Sequence, residues 1–104
     1  MGVQFPPGAQ NKFLSKFIMT KYWYVYILKC ADGSFYTGIT NNIERRLTEH
    51  NKSKTVGSKY VRMRRPVVLV YKQRIGTRSE ALKKESEIKR LTRTVKQTLI
   101  DMGP

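Results

Sequence analysis

The chain has 104 residues, enough for one modest hydrophobic core and not for two. Its 21 Lys and Arg against 7 Asp and Glu leave a formal net charge of +14, a field that favours polyanions because each neutralised phosphate releases condensed counterions. No stretch approaches the roughly 20 apolar residues that span a bilayer, and the basic residues are spread over the chain, so nucleic acid rather than a membrane is the expected partner.

Residues 1–18 differ in character from the remainder of the chain. Phe5-Pro6-Pro7-Gly8 breaks any helix, and Phe13, Leu14, Phe17 and Ile18 form a short apolar patch without the sustained apolar run or small-residue cleavage site of a secretory signal. We read 1–18 as an N-terminal extension, weakly ordered or an added helix, and 19–104 as the folded domain.

Tyr22 to Cys30, YWYVYILKC, is dominated by aromatic and β-branched residues and reads as a central strand. The single cysteine, Cys30, excludes an internal disulfide, suits a reducing, cytoplasmic compartment and fits packing better than nucleophilic chemistry. One Cys and one His are too few for a zinc site. Asp32-Gly33 supplies a turn, and Phe35 to Ile39 returns as the second strand of a hairpin. Parity matters here. A two-residue turn would send Tyr26 and Tyr36 to opposite faces, whereas a three-residue loop ending with Gly33 in the left-handed conformation, or a bulge, would bring them to one face.

The next element is a helix over 41–50, with Asn41 and Glu44 at the spacing of a capping box. It stacks Ile43, Leu47 and His50 on one stripe and sets Arg46 beside both Ile43 and His50. On this helix alone, a surface arginine and a satisfied histidine would explain the pattern. The next stretch, Asn51 to Arg65, gathers Lys52, Lys54, Lys59, Arg62, Arg64 and Arg65 around Tyr60. Basic residues set about one aromatic suit phosphate contacts with occasional base stacking, so this loop is the expected nucleic-acid-binding segment.

Val67 to Tyr71 is a continuous apolar run of the kind found in buried strands. Thr77 and Glu80 form a second capping box, opening a helix from Arg78 to about Leu91 whose apolar face holds Ala81, Leu82, Ile88 and Leu91. At 100° per residue Glu85 falls inside that face. A carboxylate there must be paired, bind a metal or open into a cleft, because an unpaired buried charge is costly. Thr94 to Ile100 reads as a last short helix with Val95, Leu99 and Ile100 packing inward.

Tyr26, Tyr36, Arg46, His50 and Glu85 together meet the needs of phosphodiester hydrolysis. A phenol or imidazole can take a proton from the attacking water, a guanidinium can stabilise the charged pentacovalent phosphorus, and a lone carboxylate can hold one divalent ion near the leaving oxygen. Tyrosine is a poor base at its reference pKa near 10, so nearby positive charge would have to assist it.

Tyr24-Val25-Tyr26, then Tyr36-Thr37-Gly38 ten residues on, then Arg46 and His50, and later Ala81-Leu82-Lys83-Lys84-Glu85, resemble in order and spacing the GIY-YIG nuclease family. The resemblance runs from about Met19 to Met102 and is narrowest to small single-domain bacterial members, themselves similar to the catalytic half of structure-selective branched-DNA nucleases. It implies an α+β fold, a small three-stranded antiparallel sheet flanked by helices, with both tyrosines on the active face; the odd-length loop is therefore expected. It makes one of Tyr26 and Tyr36 the general base and the other a positioner, Arg46 the transition-state cation, His50 a base partner or water positioner, and Glu85 the sole protein ligand of one Mg²⁺ or Mn²⁺. Tyr24, Val25 and Thr37 depart from the glycine and isoleucines of the family motifs.

The expected function is a metal-dependent endonuclease hydrolysing DNA phosphodiester bonds in one in-line step, with a protein partner as the natural source of targeting. The rival reading is a non-catalytic module of the same fold that binds DNA or RNA through its basic surface.

Overall fold

A computed structural model describes residues 22–53 and 58–104. The extension expected over 1–18, the domain boundary at Met19 and Lys54 of the basic segment lie outside them. Among the described residues the chain forms strands β1 (Trp23–Lys29) and β2 (Phe35–Thr40), helices α1 (Ile43–Lys52) and α2 (Lys59–Arg62), strand β3 (Val68–Gly76), and helices α3 (Arg78–Lys89) and α4 (Arg93–Met102). The strands make one antiparallel sheet in the order β2-β1-β3. This is the α+β architecture expected from the sequence.

β1 is central and covered on both faces, which is why its sequence is almost continuously apolar and aromatic. Alternate residues serve alternate faces. Tyr26, Leu28 and Cys30 pack with Val61 and Val67 under Ile43 and Leu47 of α1; Val25 and Ile27 pack with Tyr71 and Ile88 under Leu99 and Ile100 of α4. Thus α1 and α2 close one face, and α3 and α4 the other. No helix among the described residues is long and apolar enough to cross a membrane.

The hairpin resolves the parity question. Cys30 N–H donates to the Ser34 carbonyl at 2.8 Å, leaving Ala31-Asp32-Gly33 as a three-residue loop with Gly33 at φ +84°. That left-handed conformation suits a residue without Cβ. The register pairs Tyr26 with Gly38 and Leu28 with Tyr36, so the two tyrosines share a face.

Other expectations shift. The cap of α1 is Asn42, not Asn41: β2 stays paired through Thr40 opposite Tyr24, and the Asn42 side chain accepts from Arg45 N–H at 3.0 Å. Asn41 instead accepts from the Arg45 guanidinium at 3.3 Å. β3 is an edge strand extending to Gly76 rather than a wholly buried one; Val68 is 57% exposed while Val67 and Tyr71 are buried. The Thr77–Glu80 capping box forms as expected, with Glu80 N–H on Thr77 Oγ1 at 3.2 Å and Thr77 N–H on Glu80 Oε1 at 3.3 Å. On α3, Ala81 and Ile88 are buried, but Leu82 is exposed and Leu91 lies past the last helical residue. On α4, Leu99 and Ile100 pack inward while Val95 faces solvent.

Candidate active site

Tyr26 stands in mid-β1, where both neighbouring strands hold its backbone. Its ring lies across Gly38 on β2. A Cβ at position 38 would come within 2.5 Å of Tyr26 Oη and 2.7 Å of Cζ, so the absence of a side chain there admits the phenol. The glycine of the Tyr-Thr-Gly motif thus has a steric role, legible only once the register is known.

From the facing helix, His50 comes down on the same phenol. Tyr26 Oη lies 2.9 Å from His50 Nε2, and the histidine has no solvent exposure. Arg46, one turn earlier, lines one small cleft with Tyr26 and donates through Nη1 to Glu49 Oε1 at 3.2 Å. The Tyr36 ring meets the His50 ring edge-on at 5.3 Å between centroids and lies 6.4 Å from the Tyr26 ring, tilted. The structure therefore gathers four of the five predicted catalytic side chains on one face of the sheet. Glu85 stands apart from them on α3, which packs on the other face of the sheet.

Burial, the largest influence, pushes the Tyr26 phenol up to about 12; the Arg46 hydrogen bond and charge oppose this, and Tyr36 and Glu85 reinforce it. Burial also drives His50 down to about 4, helped by the positive charges of Arg46 and Arg65 and opposed by Glu49. His50 is thus neutral at physiological pH. Burial disfavours the Arg46 cation, but its hydrogen bonds to Tyr26 and Glu49 more than compensate and hold it above the ordinary arginine value.

Glu85 keeps 18% of its side chain exposed, and its ion-pair partner is the solvent-facing Lys89 at 3.7 Å. It is neither locked in an internal pair nor fully in water. A lone carboxylate so placed fits a small hard cation whose remaining ligands are water and phosphate oxygens, the pattern Mg²⁺ prefers.

Two arginines of the basic segment have partners within the protein. Arg65 turns inward: Nε donates to the His50 carbonyl, and Nη2 to the carbonyls of Glu49 (3.3 Å) and Ser53. It closes the C-terminal end of α1, where free carbonyls need donors. Arg64 donates through Nε to Asp32 at 3.0 Å and through Nη1 to the Tyr60 carbonyl at 3.0 Å, with its guanidinium 3.7 Å above the Tyr60 ring. Lys52 and Lys59 are exposed, Arg62 is half-buried, and Lys54 lies outside the described residues.

Sequence reasoning passed over several residues. Asn51 pairs both ways with the Val67 backbone, at 3.1 and 2.9 Å, tying the end of α1 to the start of β3. Beside Tyr36 opens a groove of about 350 Å³ lined by Phe35, Tyr36, Thr37, Tyr60, Lys89 and Lys96. The lysines come from helices whose sequence pattern marked only ordinary solvent faces, so no local signal pointed to them.

The family model described as the GIY-YIG catalytic domain matches residues 22–98. UPF0213 protein DP2720 of Desulfotalea psychrophila is 58% identical over 78 residues, covering 75% of this chain and 70% of that protein. UPF0213 protein SSP2268 of Staphylococcus saprophyticus is 51% identical over 80 residues, covering 77% and 95%. The solution NMR structure of protein EF2693 from E. faecalis superposes with a TM-score of 0.53 at 46% identity, covering 79% of this chain and 86% of that one. That of the UPF0213 protein BH0048 from Bacillus halodurans gives 0.50 at 42% identity, covering 78% and 84%. The matched domain and these relatives show that the chain belongs to the GIY-YIG family, a nuclease superfamily acting on nucleic acid.

Proposed function

We propose that the protein is a metal-dependent endonuclease that hydrolyses phosphodiester bonds in DNA by one in-line displacement. The observation that supports this most is the meeting of Tyr26, Tyr36, Arg46 and His50 on one face of the sheet.

Water attacks phosphorus opposite the leaving oxygen, forming one P–O bond as the other breaks. Tyr36 is the better-placed proton acceptor for that water. Its ring borders the open groove, whereas Tyr26 is 2% exposed, engaged by His50 and Arg46, and holds its proton more tightly than a free phenol. Tyr26 serves as a hydrogen-bonding positioner, and His50 fixes its ring. Arg46, partly exposed and held by Glu49, offers its guanidinium to the negative charge that builds on the phosphoryl oxygens. Glu85 would hold one Mg²⁺ or Mn²⁺, which supplies Lewis acidity at the leaving oxygen when bound.

Lys89 and Lys96 at the groove, together with Lys52, Lys59 and Arg62, supply backbone neutralisation, so affinity should fall steeply with salt. Arg64 and Arg65 are instead engaged by Asp32 and by the carbonyls at the end of α1. The reading places the protein in the cytoplasm, with residues 19–104 as its catalytic domain and targeting left to a partner. The test is incubation with labelled single-stranded, duplex and branched DNA in Mg²⁺, in Mn²⁺ and in EDTA. Cutting that requires metal supports the enzyme; retention of DNA without cutting under every condition supports the rival binding module.

A further inference from the structure

Tyr60 stands next to the cluster without belonging to it. Its ring is nearly parallel to that of Tyr36, at 24° and 6.3 Å between centroids. Arg64 lies 3.7 Å above the Tyr60 ring and so occupies a face that a base would need for stacking. Arg64 is itself fixed at three points. Its Nε reaches Asp32, its Nη1 the Tyr60 carbonyl, and its own carbonyl accepts from Ala31 N–H at 2.9 Å. Asp32 is held in turn by Ser34, whose N–H and hydroxyl donate to Oδ1 at 3.0 and 2.6 Å. A continuous series of contacts thus runs from the β1–β2 loop through Arg64 and Tyr60 to the ring of Tyr36.

We propose that Tyr60, clamped by Arg64 and Asp32, is a positioning residue that sets the orientation of the Tyr36 ring, rather than a stacking platform for nucleic acid. Tyr36 leads out of the β1–β2 loop near the start of β2, and its side chain is held by ring packing against His50, Tyr26 and Tyr60. The His50 and Tyr26 contacts are inclined, at 66° and 43°; the near-parallel face of Tyr60 is what restricts the remaining tilt. Proton transfer is sensitive to such tilt, because reacting atoms must meet at hydrogen-bond distance.

This inference rests on the nuclease reading for its rate consequences but has a readout independent of it. In Tyr60→Ala, kcat should fall about tenfold or more while KM changes little; Tyr60→Phe, which keeps the stack, should restore the rate. Asp32→Asn, which loosens Arg64, should give a smaller fall in kcat. In protein carrying ¹³C-labelled tyrosine, the Tyr36 ring resonances should shift in Tyr60→Ala and return in Tyr60→Phe. A raised KM and weakened DNA binding with unchanged kcat in Tyr60→Ala would overturn the proposal. So would unmoved Tyr36 resonances, whether or not the wild type cuts. Wild-type protein that fails to cut in any metal contradicts the nuclease reading alone and leaves the ring resonances to decide the clamp.

Discussion

Tyr26 Oη lies 2.9 Å from His50 Nε2, and the other ring nitrogen, Nδ1, is buried without a hydrogen-bond partner. If the phenol donated to Nε2, neutral His50 would carry its proton on Nδ1, an orphaned buried donor costing about 1–3 kcal/mol. If Nε2–H donates instead, the orphan is a bare lone pair, which proteins tolerate better. His50 is therefore expected as the Nε2–H tautomer. Tyr26 then accepts from His50 and keeps its own proton. The protein has a single histidine, so ¹⁵N NMR reads the tautomer without ambiguity; a protonated Nδ1 would contradict the prediction.

The same burial predicts acid sensitivity. The folded value of His50, about 4, lies below its ordinary 6.5, so the unfolded chain binds the extra proton. The stabilisation of the neutral ring is fully present above pH 6.5 and is lost as pH falls towards 4, by about 3 kcal/mol in all. Urea denaturation across this range should show the loss in the wild type and a clearly shallower slope in His50→Gln. Asp32 and Glu80, each held below its usual carboxylate range by hydrogen bonds from Ser34 and Thr77, add their loss at still lower pH.

Gly38→Ala should inactivate without touching any group that reacts. The new Cβ would meet the Tyr26 phenol at 2.5 Å, forcing the ring off His50 and Arg46. A misplacement on the order of 1 Å can cost about 100-fold in rate, and the overpacking about 1–3 kcal/mol of stability. Cleavage rates and thermal melts separate the two effects; a variant with wild-type activity would show that the ring has room to spare.

Arg65→Ala should behave as a stability mutant. Its guanidinium serves the carbonyls of Glu49, His50 and Ser53, so removal should destabilise by about 1–3 kcal/mol and leave the salt dependence of DNA binding unchanged. Arg65→Lys should recover little, since a single ammonium does not reproduce the planar fork. A reduced salt slope at unchanged stability would assign it to phosphate instead.

Much of this architecture was legible in the sequence because local patterns agreed with tertiary ones. The Asp32-Gly33 turn, the Thr77–Glu80 capping box and the Ile43–Leu47–His50 stripe each specify their own geometry and occur as expected. The misreadings have a common cause, competition from partners distant in sequence. Asn41 has the right spacing for a cap, but pairing of Thr40 with Tyr24 carries the strand one residue further. Arg64 and Arg65 read as part of the nucleic-acid-binding segment, yet Asp32 engages the one and the carbonyls at the end of α1 the other. Val68 to Val70 read as buried, but their strand takes the sheet edge. Gly38 has no side chain to announce a role, and only the cross-strand register reveals one.

The nuclease reading requires Arg46 and Glu85 to act on the reacting phosphate rather than to hold DNA. Wild type, Arg46→Ala and Glu85→Ala, compared for cleavage and for binding in Mg²⁺ and in EDTA, decide this. The expected result is metal-dependent cutting by the wild type, a loss of at least about 100-fold in both variants, and DNA binding retained in all three. Cutting that survives both substitutions, or persists in EDTA, would contradict it.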